Sequence, residues 1–441
     1  MIRAGKAQGR REIAAQVPGA WGLALALALV HLVAAMDRHL LALVLVPIQR
    51  ELNLGDTQLG FLHGTAYVLL YAGAVVPAGA LADRFDRRRI VMAALAVWSL
   101  GTLACALAPS FAALVGGRMI VGLGQAALVP AAASLIADGF GPGGIGRPIA
   151  VFTSAATLGR GLALLAGGLL LGLIGDGLFS TVPLEPWRML FLMSLCLNVA
   201  ALAWFSTGAE PPRTVRKAET PPPLGLALAE RWRLYLAYFG CAAATILMVQ
   251  VVAAWAPTLL VRGFDLTPAE SGLIFGPIVI AFGPAGNVAG GWLIDRLARR
   301  GDAGAPALVV ALALVAAMIA GATACLAEDL ALAIAALAAT TFALGGATPV
   351  GLVAVQRLTP APLRGRMTGG FILGVTLISL GIGPVMVGWL SETVFAGSLA
   401  HALLATLCIV SVFGAAAALV ARSLEIGDAA ATLAAAVRPA G

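Results

Sequence analysis

Charged side chains lie inside long apolar segments, where an ionisable group is costly and is a functional candidate. Asp37 and Arg38 are adjacent, and Arg118 and Arg160 follow later in the first half of the chain. At about 1.5 Å per residue, Asp37 and Arg118 reach similar depths, roughly 10–15 Å below one boundary of the apolar layer. Asp37 could therefore pair with Arg118. The pair could fix helix register, or Asp37 could take up a proton and release its arginine.

Polar residues share helical faces with these charges. His31 precedes Arg38 by nearly two helical turns, and Gln125 follows Arg118 by the same spacing, so each pair lies on one face. Imidazole titrates near neutral pH, which makes His31 a second candidate for proton coupling beside Asp37. A hydrogen-bonded packing role for His31 stays open.

Arg160 has no acid within one helical turn, so its partner comes from another helix or from a ligand. His63, Tyr67 and Tyr71 form a stripe on a second predicted helix, either as aromatic packing or as a cavity wall. Gln250 occupies the position in the second half of the chain that corresponds to Arg38 in the first half, 212 residues earlier. The candidate substrate-binding residues are Arg38, Arg118, Gln125, Arg160, His63, Tyr67 and Gln250.

The composition requires a membrane. The chain has 441 residues, of which 60% are hydrophobic and 11% are charged, against about 25% charged in a soluble domain. Runs of about 20 apolar residues are long enough to span a bilayer. They predict an all-α membrane protein with twelve transmembrane spans. The spans are predicted near 21–46, 57–82, 89–108, 111–138, 147–174, 187–207, 233–260, 268–295, 305–326, 330–356, 366–391 and 398–421.

The spans divide into two bundles of six. We predict a cytoplasmic N-terminus at 1–19, bundles at 20–207 and 232–422, an extended Pro-rich linker at 208–231 and a cytoplasmic tail at 423–441. Lys and Arg cluster in the loops on one side, while the opposite loops carry Arg50, Arg188 and Arg262. The positive-inside rule then places both termini in the cytoplasm. We expect the protein to lie in the plasma (inner) membrane.

A short string is repeated, once in each half. Gly79-Ala-Leu-Ala-Asp-Arg84 returns as Gly291-Trp-Leu-Ile-Asp-Arg296, and both copies continue into further arginines. Duplicated membrane bundles are typical of secondary transporters. An acid here can cap a helix N-terminus or pair with an arginine and so latch one access state. Alternatively, the arginines are only topology determinants. The candidate gating residues are Asp83, Arg84, Arg87, Arg88, Asp295 and Arg296.

The loop signature resembles that of the major facilitator superfamily over about residues 20–422. Asp37-Arg38, the run Arg118-Met-Ile-Val-Gly-Leu-Gly-Gln125 and Ile136-Ala-Asp-Gly-Phe140 resemble its spinster-like branch. The resemblance implies two six-helix bundles, alternating access and a central cavity lined by spans 1 and 4. Branch members are described as transporters of lysophospholipids and sphingoid phosphates, or as proton-linked exporters. Gln125 stands where the branch usually has an acid, and a glutamine cannot release a proton.

These features predict a proton-coupled transporter of an amphipathic anion, for example a lysophospholipid or sphingoid phosphate. Its acidic head would face the arginines and its apolar body the second half, whose span interiors are nearly free of charge. One alternative is a multidrug exporter, which would prefer an acidic cavity for cationic drugs. Another is an uncoupled organic-anion uniporter.

Other classes of protein fit less well. We see no nucleophile–base set, metal cluster or phosphate-cradling loop, so we predict neither an enzyme nor a bound cofactor or metal. The net charge of +7 lies in short loops rather than in a basic patch, which argues against nucleic acid. The expected partners are the lipid bilayer, a small amphipathic substrate and protons, and we expect a monomer.

Overall fold

A computed structural model describes residues 19–207, 224–360 and 363–437. Within those ranges, twelve helical segments are long and apolar enough to cross a membrane, which confirms the predicted all-α architecture. Large apolar side chains cover the outside of these segments, including Val76, Val288 and Ile409, each more than 60% exposed. An exterior of this kind is stable against lipid rather than against water.

The first half contains six spans. Span 1 comprises helices Ala20–His39 and Leu41–Leu52; span 2 comprises Asp56–Gly60, a π-helix at Phe61–Thr65 and Ala66–Arg84; span 3 is Arg87–Ala106; span 4 comprises Phe111–Gln125 and Leu128–Gly144; span 5 is Gly146–Gly175; and span 6 is Pro186–Phe205.

The second half repeats this plan. Span 7 is Leu224–Gly263, span 8 is Pro268–Arg299, span 9 is Ala305–Leu326, span 10 comprises Leu330–Ala347 and Val350–Leu358, span 11 is Arg364–Thr393 and span 12 is Leu399–Val437. A helix begins at Leu224, inside the linker predicted as extended, and a kink at Arg231 separates it from the membrane-spanning helix Arg231–Gly263. Residues 208–223 of that linker and residues 1–18 lie outside the described ranges.

Spans 4 and 10 are broken at corresponding places, whereas the sequence predicted each as continuous. Span 4 ends its first helix at Gln125 and resumes at Leu128, shortly before Pro130. Span 10 ends its first helix at Ala347, and Pro349 precedes the next helix. Proline has no N–H to donate, and a proline lies within three residues of each break. Interrupted helices at matching positions of two repeats indicate a binding region in transporters.

Contacts between Cα atoms group the chain into two compact units, and each is described by itself. Of the described residues, the first unit contains 19–38, Leu69–Arg160 and 188–207. The second unit contains the second half of the chain together with His39–Val68 and Gly161–Trp187. Segments of spans 1, 2 and 5 therefore pack with second-half helices inside the second unit.

Candidate functional site

Asp37 lies near the end of the first helix of span 1, inside the first unit, and is 1% exposed. Its carboxylate accepts hydrogen bonds from the hydroxyl of Thr102 on span 3, at 2.9 and 3.0 Å. On span 6 the Ser194 hydroxyl donates at 2.7 Å and the Asn198 amide at 3.4 Å. Sequence reasoning missed these three donors because neutral polar residues in spans carry no pattern that assigns them to a partner.

Arg118 is the nearby charge. Its Nη2 contacts the backbone carbonyl of Arg38 at 3.5 Å, and its positive charge acts on Asp37. The direct hydrogen bonds of Asp37 therefore come from neutral donors, and Arg118 contributes through its charge. The sequence predicted a pairing of Asp37 with Arg118, and these neutral donors are additional to it.

Arg38 and Arg160 bring two positive charges into the first unit. The charge of Arg38 acts on Arg160 and also on Tyr71 and His31. The buried Nε of Arg160 has no hydrogen-bond partner among the described residues, and no ion pair there includes Arg160. Two like charges that interact in an apolar layer raise the energy of the empty protein. An anion bound between them would lower it.

Close helix packing explains why these charges interact. Gly159 precedes Arg160 on span 5, and a Cβ atom built there would lie 2.4 Å from the carbonyl oxygen of Leu32 on span 1. A side chain at position 159 would push the two spans apart. Glycine therefore holds Arg160 close to span 1, the helix that carries Arg38.

His31 and Gln125 make packing contacts with neighbouring helices. His31 Nδ1 lies 2.9 Å from the carbonyl oxygen of Phe152, and the two rings stack with centroids 4.3 Å apart. Gln125 donates its Nε2 amide to the carbonyl of Ala34 at 3.0 Å. These contacts tie spans 4 and 5 to span 1. Both residues belong to the same unit as Asp37 and the arginines.

The remaining candidate binding residues, His63, Tyr67 and Gln250, belong to the second unit and are all buried. His63 lies in the π-helix of span 2. At the end of that π-helix, the hydroxyl of Thr65 donates to the Gly381 carbonyl on span 11 at 2.6 Å. Insertions of this kind often mark functional positions in helices.

The first copy of the repeated string contacts its own half. Arg87 is 2% exposed, forms an ion pair with Asp138 and donates to the Ser134 hydroxyl at 3.1 Å. Arg88 donates to the Phe205 carbonyl at 2.9 Å. The start of span 3 is thereby fixed to the ends of spans 4 and 6.

In this loop Asp86 caps a helix, a role that the sequence did not predict. Asp86 accepts a hydrogen bond from the backbone N–H of Arg89 at 2.8 Å and begins span 3. Asp83 lies in the helix Ala66–Arg84, and its side chain is outside the described residues. Arg84 is exposed at the end of that helix.

The second copy makes different contacts. Asp295 and Arg296 are exposed, and the Arg296 guanidinium lies over the Trp292 ring, 5.1 Å from its centroid. The ion pair of this region joins Asp302 to Arg422 on span 12 at 3.0 Å. Sequence reasoning assigned no role to this pair.

A polar cluster in the second unit joins the predicted outer ends of four spans. Asp56 begins span 2, is 4% exposed and accepts two hydrogen bonds from Arg262 of span 7, at 2.6 and 3.0 Å. Gln49 of span 1 accepts from Arg262 at 2.7 Å and donates to Asp56 at 3.1 Å. Ser391 of span 11 donates to Asp56 at 2.8 Å. We call Gln49, Asp56, Arg262 and Ser391 the outer cluster.

Glycines permit the close contacts beneath the outer cluster. A Cβ atom at Gly388 of span 11 would lie 2.2 Å from the carbonyl oxygen of Asp56. A Cβ atom at Gly64 of span 2 would lie 2.0 Å from the carbonyl oxygen of Leu380. Spans 2 and 11 therefore touch backbone to backbone, as small residues allow in membranes.

A cavity of about 1000 Å³ opens beside the outer cluster, within the second unit. Arg50 lines it together with a surplus of carboxylates, which are Glu51, Asp176, Glu185, Asp265 and Glu270. The lining of this cavity therefore has the opposite charge to the arginines near Asp37.

Comparisons with known proteins agree with this architecture. The model of the Major Facilitator Superfamily matches residues 27–323. An MFS-type efflux pump of Mycolicibacterium smegmatis is 28% identical over 90% of this chain and 91% of its own. Human protein spinster homolog 1 is 30% identical over 69% of this chain and 60% of its own.

Solved structures show the same fold. A bacterial homologue of the human lysosomal transporter spinster, in an inward-facing and unoccupied conformation, superposes with a TM-score of 0.80. It is 24% identical, and the match covers 93% of this chain and 97% of that one. The predicted resemblance to the spinster-like branch is thus confirmed, and the chain belongs to the Major Facilitator Superfamily of transporters.

Proposed function

We propose that this transporter binds an amphipathic organic anion whose acidic head lies at Arg38 and Arg160. The observation that carries the proposal is the buried Nε of Arg160, which has no hydrogen-bond partner among the described residues, and the positive charge of Arg38 that acts on this guanidinium supports it. A charged side chain in a span costs about 2.5–3.5 kcal/mol even on insertion scales. The attraction between a bound anion and the two arginines would offset this free-energy cost.

Proton coupling is assigned to Asp37. Its carboxylate is buried, lies near Arg118 and belongs to the same unit as Arg38 and Arg160. Protonation would remove the negative charge beside Arg118 and increase the positive charge available to an anion. We prefer Asp37 to His31 because a His31 ring nitrogen already engages the Phe152 carbonyl.

Alternating access would be controlled at the outer cluster. Its hydrogen bonds join Gln49 and Asp56 of the first half to Arg262 and Ser391 of the second half. These bonds must break for the predicted outer ends to separate. The Arg87–Asp138 pair, by contrast, stays within one half and serves as a fixed strut of the first bundle.

The preferred substrate is a lysophospholipid or sphingoid phosphate in the plasma (inner) membrane, with both chain termini in the cytoplasm. The spinster-like resemblance and the arginine pair support this choice. Export of a cationic drug is the second candidate, favoured by the carboxylates around the cavity and by the similarity to an efflux pump.

A thermal-shift screen of the purified protein tests these alternatives. Lysophospholipids, simple organic anions and cationic drugs are added to the native protein, to Arg160→Met and to the control Arg89→Gln, whose side chain is 82% exposed. We choose Arg160 because Arg118 also acts on Asp37.

The expected result has two parts. Anionic amphipaths stabilise the native and control proteins but not Arg160→Met, and Arg160→Met without ligand melts higher than native because the repulsion by Arg38 is gone. Stabilisation by cationic drugs alone would favour the exporter. A lower melting temperature of Arg160→Met without ligand, with stabilisation by anions intact, would make Arg160 structural and refute the site.

A further inference from the structure

The hydroxyl of Thr102 has two acceptors for one proton. It lies 2.9 Å from the Asp37 carboxylate and 3.0 Å from the backbone carbonyl oxygen of Trp98, one turn earlier on span 3. A hydroxyl also carries lone pairs that accept. Rotation of the Thr102 hydroxyl about its C–O bond can therefore change its role. In the new orientation the hydroxyl donates a hydrogen bond to the Trp98 carbonyl and accepts one from Asp37.

Asn198 adds a second neighbour that can act in both directions. Its Nδ2 lies 3.4 Å from both Asp37 and the Thr102 hydroxyl. Its Oδ1 is buried and has no hydrogen-bond partner among the residues described. A buried acceptor without a donor is costly. Rotation of the Asn198 amide would turn this unused acceptor toward Asp37, where it could accept a hydrogen bond from a protonated carboxyl.

We propose that Thr102 and Asn198 form a hydrogen-bond switch that satisfies Asp37 in both of its protonation states. A hydronium ion of the solution gives its proton to one carboxylate oxygen of Asp37 and becomes water, and the charge of Asp37 changes from −1 to 0. The Thr102 hydroxyl turns to the Trp98 carbonyl and accepts from the new Asp37 O–H, while Asn198 Oδ1 offers the alternative acceptor. Proton release reverses these moves, and no other covalent bond changes.

The charged and titratable groups that act on Asp37 are few within the described residues. Arg118 of span 4 acts on it as a fixed positive charge, and the Cys105 thiol of span 3 interacts with both. Span 6 contributes the neutral residues Ser194 and Asn198. Thr102 is thus a positioning residue for the proton on Asp37, and this assignment rests on the proposed role of Asp37 in coupling.

Infrared difference titration of the full-length protein in detergent, without substrate, tests the switch. The C=O stretch of protonated Asp37 is assigned by its loss in Asp37→Asn. The midpoint and frequency of that band are then compared in Thr102→Val, Thr102→Ala and Thr102→Ser. Ser99→Ala is the matched control, because Ser99 is also a buried hydroxyl on span 3 that donates to a backbone carbonyl, that of Leu95.

Valine and alanine are expected to raise the midpoint by about one pH unit, because a charged carboxylate loses more than a neutral acid when a donor is removed. They also shift the band frequency, since the acid O–H loses its acceptor. Serine restores the native band, and Ser99→Ala retains it. A native midpoint and frequency in both valine and alanine variants would overturn the switch, as would a serine variant that behaves like valine.

Transport measurements separate this inference from the proposed function. If the band titrates and responds to Thr102 as expected but flux ignores a proton gradient, the switch holds and the coupling assignment fails. If proton-driven flux is lost in Asp37→Asn, but the C=O band of Asp37 is the same in the Thr102 variants as in the native protein, the coupling holds and the switch fails.

Discussion

Replacing Asp56 by Asn should open the outer cluster. The substitution removes the negative charge that accepts two hydrogen bonds from Arg262 at 2.6 and 3.0 Å. A hydrogen bond to a charged group contributes about 1.5–3 kcal/mol. The Arg262 side chain is 26% exposed, and water screens the pair. We therefore expect a loss of about 1–2 kcal/mol, which shifts the closed-to-open ratio by about 5- to 30-fold.

Hydrogen exchange followed by mass spectrometry measures this shift. Backbone amides in 56–65 and 379–393 should exchange about 5- to 30-fold faster in Asp56→Asn, because their protection depends on the closed contact between spans 2 and 11. Asp302→Asn is the matched control. It breaks the Asp302–Arg422 pair, whose arginine is equally exposed at 26% and which involves neither segment.

The control should leave exchange in both segments at the native rate. Native exchange in Asp56→Asn would refute the reasoning. Equal acceleration in Asp302→Asn would refute it too, since the effect would then reflect a general loss of stability.

Three further predictions concern stability and coupling. Arg87→Gln should lower the melting temperature clearly, because breaking a buried ion pair costs about 3–5 kcal/mol, whereas the exposed Arg89→Gln should change it little. Gly388→Ala should lower the melting temperature, since the new Cβ atom would meet the Asp56 carbonyl oxygen at 2.2 Å. The control Gly291→Ala should leave the melting temperature unchanged, because no atom lies within 4 Å of a Cβ atom there. Equal melting temperatures of the two variants would contradict the close contact. Gln125→Glu should add a second intramembrane acid and steepen the pH dependence of flux, measured in proteoliposomes; an unchanged pH profile would show that position 125 has no access to protons.

The spans were predictable because lipid imposes a length and an apolar composition on each helix. Their interruptions were less so. Span 10 was predicted as one helix, yet it is interrupted between Ala347 and Val350, where Pro349 lies. Span 12 was predicted to end near 421, but its helix continues to Val437, because an alanine-rich sequence can remain helical beyond the apolar layer.

The candidate site was predictable in its charges and not in its partners. Asp37 and Arg160 stand out because an ionisable residue in a span is rare. Ser194 and Asn198 do not stand out, and only the fold brings span 6 against Asp37. Asp56 and Arg262 lie far apart in sequence at span ends, where charges are ordinary, so their pairing is visible only in three dimensions.

Proton-driven accumulation in proteoliposomes tests the central claim most directly. The substrate is the anionic amphipath that stabilises the protein most, and uptake is measured with and without an imposed proton gradient for the native protein and Asp37→Asn. The proton gradient should drive substrate accumulation by the native protein. The Asp37→Asn variant should fold and bind the substrate, but it should only equilibrate the substrate across the membrane. Undiminished gradient-driven accumulation by Asp37→Asn would contradict the central claim.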